Sequence, residues 1–146
     1  MNILHTLCRR LNRKAAGALI GLAAIAYGQN MKSVWEGVYT ADQAKRGAAL
    51  YASSCANCHG TAMTGGDEAP PLTGGEFMSN WNGLTVGDLF DRIRTTMPAD
   101  HPGSLTRQQN ADVVAEILSA NQFPAGKSEL DTRSEFLKQI RISSTK

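Results

Sequence analysis

A small all-α domain is the fold class this sequence predicts, on three observations. Thr40 with Gln43 and Thr106 with Gln109 form capping boxes, Thr85 with Asp88 forms a further cap, and each precedes apolar residues at helical spacing. No stretch alternates apolar and polar residues as a half-buried strand would. The 146 residues, 42% hydrophobic and 19% charged, suffice for one domain with a core and rule out both a multidomain machine and full disorder.

The chain opens with Arg9, Arg10, Arg13 and Lys14 and no acidic residue among the first fourteen. Ala15 to Tyr27 follows as an apolar run, the layout of a secretory signal peptide over residues 1–26. The run has 13 residues, short of the ~20 that a membrane-spanning helix needs, so a membrane role enters only if the leader is retained as an anchor. Ala24 and Ala26 offer small residues for cleavage, and a cut after Gly28 fits nearly as well. Cys8 precedes the run and reads as incidental, and Arg9-Arg10 is a twin-arginine pair in a poor context. The whole chain carries +2, but without those four cations the balance is 11 against 13, or −2, which removes the case for nucleic-acid binding.

Residues 27–38 read as an N-terminal extension, in which Trp35, with Tyr39 just beyond, covers part of the core. A helix is predicted from Ala41 to Ala52, with Ala44, Gly47, Ala48 and Tyr51 on its apolar face. Glycine costs a helix about 1 kcal/mol against alanine, so Gly47 points to close approach by another helix. This helix leads into Cys55-Ala56-Asn57-Cys58-His59. With the leader gone these are the chain's two cysteines, and Cys-x-x-Cys-His reads as a covalent haem attachment site. Positions i, i+3 and i+4 share a helix face, so both sulfurs reach the porphyrin vinyl groups while the His59 ring lies under the iron. A disulfide, a redox dithiol and a zinc site are the alternatives. The dithiol lacks a βαβ context, and zinc wants more ligands than these residues and His101 supply.

After His59, seven glycines and prolines between Gly60 and Gly75 predict a loop around the haem edge. Val86, Leu89, Phe90, Ile93 and Met97 then fall at i, i+3, i+4, i+7 and i+11, a helix ending at Met97-Pro98. A third helix starts near Thr106, buries Val113, Val114, Ile117 and Leu118, and stops at Asn121 and Pro124. Residues 124–146 form a polar tail in which Asp131 to Glu135 cap a last short helix through Phe136, Leu137 and Ile140.

For the sixth iron ligand the chain offers Met31, Met63, Met78, Met97 and His101. Met97 has the best setting, since Pro98 fixes an extended turn that holds the thioether over the porphyrin. His101 would give a bis-imidazole haem at lower potential, and an open site would invite catalysis or gas sensing.

Cys55-Ala56-Asn57-Cys58-His59-Gly60, Ala69-Pro70-Pro71-Leu72, Thr96-Met97-Pro98 and the closing helix together resemble the class I c-type cytochromes, in particular the single-haem, exported bacterial cytochromes that partner periplasmic dehydrogenases. The resemblance covers residues 39–123. It implies a small all-α cytochrome c fold wrapping one haem c held by Cys55 and Cys58, with His59 and Met97 as iron ligands. It implies that the first and last core helices cross at Gly47, near Tyr51. It also implies that the Pro70 carbonyl accepts the proton of the outer His59 ring nitrogen; the family has glycine where Ala69 stands, and Pro71 adjoins, so the register is open by one residue. Trp81, and less so Arg92 or Arg94, would meet a haem propionate. The implied function is periplasmic one-electron transfer without a catalytic residue, to a dehydrogenase or terminal oxidase that approaches the haem edge near the thioethers. A haem enzyme or gas sensor with an open or labile sixth site is the alternative.

Overall fold

Thr40 opens the first helix, α1 (Ala41–Ser54), by accepting the Gln43 backbone N–H at 3.1 Å. The computed structural model describes residues 31–146. The expected leader, its cleavage site and Cys8 lie outside the described residues. The reciprocal half of the Thr40 capping box is a correction. Gln43 turns inward, fully buried, and its amide pairs with Leu130 N–H at 2.8 Å and Leu130 carbonyl at 3.4 Å. Capping water-exposed backbone gains less than satisfying a buried loop segment, where an unpaired polar group costs about 1–3 kcal/mol.

Beyond the motif, which forms the single turn α2 (Ala56–His59), comes α3 (Gly74–Trp81), which sequence patterning did not predict. Gly74 and Gly75 are poor helix formers, and tertiary contacts hold this helix instead. Phe77 is fully buried and stacks on Trp81 at 6.3 Å, and Gly74 N–H donates to the Asn121 side chain at 3.1 Å. Next, α4 (Val86–Thr96) has both halves of its Thr85–Asp88 capping box and buries Val86, Leu89, Phe90 and Ile93, the face its periodicity marks. α5 (Arg107–Ala120) likewise has the full Thr106–Gln109 box.

The core centres on α5, which is buried on most of its surface from Asn110 to Leu118. It crosses α1 at Gly47, where a Cβ would collide with the Asp112 carbonyl and stand 2.9 Å from Glu116 Cβ. Arg46 straps the crossing: its guanidinium donates to both Asp112 oxygens at 3.1 and 3.0 Å and to Glu129 at 2.9 Å.

The segments flanking these helices close over one end. Ser33 and Glu36 cap a 3-10 turn (Val34–Glu36), Tyr39 Oη donates to the Phe123 carbonyl at 2.6 Å, and Trp35 packs edge-on against Phe123 while its indole N–H reaches the Ser143 carbonyl at 2.9 Å. The C-terminal residues bury Leu130, Leu137, Ile140 and Ile142. Their helix, α6 (Ser134–Leu137), is shorter than expected and has no side-chain cap. Asp131 instead binds Arg133, whose hydrogen bond draws the Asp131 carboxyl down to about 2 against a small burial effect. Phe136 stays exposed under the Arg133 guanidinium. Strands β1 (Lys32–Ser33) and β2 (Ile140–Arg141) pair in parallel over two residues each, too few for any alternation to show in the sequence. Among the described residues no helix is long and apolar enough to cross a membrane.

Candidate functional site

The site is built from the end of α1 onward. Cys55 N–H caps α1 through the Tyr51 carbonyl at 2.9 Å, and the Cys55 carbonyl then accepts the N–H groups of Cys58 (3.2 Å) and His59 (3.0 Å). That winds Cys55, Cys58 and His59 into one turn. Cys55 is half-buried, Cys58 exposed, and both are free thiols. Burial, then the neighbouring Cys58, pushes the Cys55 thiol up.

His59 is buried, and its Nδ1 lies 2.8 Å from the Pro70 carbonyl. A carbonyl only accepts, so Nδ1 carries the proton and Nε2 is left as the ligating nitrogen. The loop after His59 creates that contact. Gly60 and Gly65 have φ of +78° and +72°, Gly65 N–H returns to the His59 carbonyl at 2.9 Å, and Leu72 N–H closes on the Met63 carbonyl at 2.8 Å. A Cβ on Gly65 would stand 2.6 Å from Pro71 N and 2.8 Å from the Pro70 carbonyl carbon. Tyr51 Oη donates to the Gly60 carbonyl at 2.6 Å and anchors the loop's first residue; burial is the main cause that lifts its hydroxyl to about 12. Sequence reasoning placed Tyr51 in the core and Gly65 in a turn without seeing either as a support of His59. The helical spacing of Tyr51 before Cys55 was the available signal for the first.

Met97 caps α4 in extended conformation (φ −124°, ψ 154°), its N–H on the Ile93 carbonyl at 2.9 Å. Its side chain is half-buried and packs on the core, as do those of Leu50, Ala56, Leu72, Met78 and Trp81. His101 is elsewhere: its side chain is 78% exposed and pairs with Asp100 at 3.1 Å. Met63 is buried, with its carbonyl bonded to Leu72 and Thr73. Arg92 is exposed, whereas Arg94 Nε is buried with no hydrogen-bond partner, its guanidinium 3.6 Å from Asp91.

Among the described residues no group of three or more His, Cys, Asp or Glu side chains can hold a metal ion, so zinc lacks its donor set. The residues fit a haem. Two unbonded thiols and an oriented imidazole share one turn, and half-buried apolar side chains, the Met97 thioether among them, pack on the core. A groove of about 810 Å³ between the N- and C-terminal segments, lined by Trp35, Val38, Leu130 and Phe136, contains none of these groups.

Compared with known families, residues 42–115 match the model described as cytochrome C oxidase, cbb3-type, subunit III, just over half of the chain. Among solved structures, a chain of the sulfane dehydrogenase SoxCD from Paracoccus pantotrophus is similar in fold, with 22% identity and a TM-score of 0.50 over 73% of this chain. The match covers 61% of that chain's length. No curated protein matches the sequence.

Proposed function

The chain belongs to the cytochrome c oxidase cbb3-type subunit III family of c-type cytochromes, and from that premise we propose that it is a periplasmic carrier of single electrons between redox proteins. Its cofactor is haem c and its function is electron transfer. The observation that carries the residue assignments is the His59 turn: two free thiols at i and i+3, followed at i+4 by an imidazole whose outer nitrogen is already committed to a backbone carbonyl.

When bound, the haem supplies a ferric/ferrous couple that takes up and gives back one electron. Cys55 and Cys58 hold it covalently. His59 Nε2 would bind the iron, and the Pro70 carbonyl at Nδ1 fixes the ring's tautomer and would raise its basicity as a ligand. The Met97 thioether would serve as the second iron ligand from the protein, and as a soft donor it would favour the ferrous state and a higher potential. With both iron ligands supplied by the protein, little would rearrange on electron transfer, which suits a carrier. Trp81 would meet a propionate. Residues 39–123 constitute the electron-transfer domain, with residues 27–38 and 124–146 as its flanking extension and tail. The basic and apolar leader read in the sequence supports export, and a dehydrogenase or terminal oxidase is the proposed class of partner. SoxCD is itself named a dehydrogenase, which is in keeping with that class.

The test is the absorption spectrum of the mature protein, oxidised and reduced, made in an exporting host with haem-attachment machinery, beside Met97→Ala. The wild type is expected to be low-spin, with covalently bound haem and the weak far-red band of iron–thioether ligation, and the variant to lose that band. A variant spectrum identical to wild type sinks the Met97 assignment. A high-spin wild type would make ligand binding or catalysis the better reading.

A further inference from the structure

Met97 has weak support on its C-terminal side. Residues 99–104 are all exposed, and the one backbone bond they return to it, Gly103 N–H to the Met97 carbonyl, is 3.4 Å long. The position of the thioether is therefore set by the helix it ends. α4 is a stiff rod, and it is gripped by a segment that lies beyond residues 42–115 and hence outside the family match. At Gly87 the contact is so close that a Cβ would stand 2.5 Å from Lys138 Cγ and 2.9 Å from the Ser134 carbonyl oxygen. One turn on, Asp91 accepts the Ser134 hydroxyl at 2.6 Å and Lys138 Nζ at 3.3 Å. Ahead of the helix, Gly83 N–H donates to the Ile142 carbonyl at 2.8 Å and Ile142 N–H to the Leu84 carbonyl at 2.9 Å. Leu137 and Ile142 are fully buried beneath these ties.

We propose that residues 134–142 brace the ligand helix, with Asp91 as a positioning residue: held against α6, α4 places the Met97 thioether where it binds iron, and loosening the grip lets the thioether leave while the fold persists. The brace rests on the reading of Met97 as the sixth ligand. Asp91 lies six residues before Met97, about 9 Å along the helix axis, so a small pivot at the clamp is carried to the thioether. An added ligand reaches the iron when the thioether is off, and its apparent affinity scales with that fraction.

The experiment is an imidazole titration of the full-length ferric holoprotein, followed by its spectrum, in wild type, Asp91→Ala, Ser134→Ala, Arg46→Ala and Met97→Ala. Arg46→Ala cuts a different strap, the one to Asp112 and Glu129, and so lowers stability without touching α4. Asp91→Ala is expected to bind imidazole about tenfold more tightly and Ser134→Ala about threefold, with helical circular dichroism unchanged, while Arg46→Ala titrates as wild type. The brace is overturned if both variants titrate as wild type, or if Arg46→Ala gains as much as they do, which would mark a general loss of stability. Should Asp91→Ala fail to give folded holoprotein, Ser134→Ala decides alone. Met97→Ala separates the two readings. If it keeps the far-red band and titrates as wild type, the ligand assignment has failed and the brace falls with it; if it binds imidazole tightest of all, the ligand stands and the clamp variants alone judge the brace.

Discussion

His59 is held by a backbone atom, and a backbone carbonyl can be moved only through the residues that shape its loop. Gly65 is the one to change. Its φ of +72° costs a residue with a Cβ about 1–2 kcal/mol. The added Cβ also meets backbone atoms of Ala69, Pro70 and Pro71 that cannot swing aside. Gly65→Ala is therefore expected to destabilise the protein by at least that amount and to draw the Pro70 carbonyl away from Nδ1. A less basic imidazole favours the ferrous state, so a potentiometric titration should find the reduction potential raised. An unchanged potential in a variant that has lost stability would remove Pro70 as a tuning contact. The Cys55, Cys58 and His59 set was legible because its chemistry is written in consecutive residues. Pro70 was reachable only through family resemblance, since the acting atom is a carbonyl and any residue has one. Which of Arg92 and Arg94 buries its Nε was beyond reach, because whether a surface-type residue is solvated depends on neighbours distant in sequence.

At the scale of elements, the crossing of α1 and α5 sets where the attachment turn begins, and Gly47 sets the crossing. Propensity alone says that Gly47→Ala should gain about 1 kcal/mol. Packing reverses the sign. The new methyl group would collide with the Asp112 carbonyl and crowd Glu116 Cβ, and forcing atoms into a filled contact costs about 1–3 kcal/mol. A fall in the thermal midpoint of roughly 5 °C or more is expected. A midpoint that holds or rises would show that the two helices can part at this point without loss. The helices with local signals, α1, α4 and α5, were legible from caps and period, because those signals are the same physics that forms them. The missed ones depend on distant partners. α3 starts on two glycines and is secured by Phe77 and Asn121, and Gln43 abandons its cap for Leu130, eighty-seven residues away. The tail's Leu137 and Ile140 sit at helical spacing and Ile140 and Ile142 at strand spacing, each for too short a run to fix the element from periodicity.

Over the whole molecule, charge is unevenly distributed in a way that bears on electron exchange. Residues 47–91, which include the attachment turn and the Pro70 loop, contain no lysine or arginine but five acidic residues, Asp67, Glu68, Glu76, Asp88 and Asp91. The first three are exposed, on or near the loop beside His59, and haem propionates would add to the same sign. Of the eleven lysines and arginines among residues 31–146, six lie in the flanking segments, at Lys32, Lys127, Arg133, Lys138, Arg141 and Lys146. The near-zero net charge therefore conceals an acidic side next to the exposed Cys58. Fields of this kind act over the Debye length, which shrinks from about 30 Å at 0.01 M salt to about 8 Å at 0.15 M. Stopped-flow oxidation of the reduced protein by small complexes of opposite charge reads the sign directly. Ferricyanide, repelled by the acidic side, should react several-fold faster as salt is raised across that range. Cobalt(III) tris-phenanthroline, attracted to it, should slow. If both oxidants respond in the reverse sense, electrons leave instead by the Arg92 and Arg94 side near Met97, and a redox partner would have to present carboxylates there in place of the cationic surface that the Pro70 side calls for.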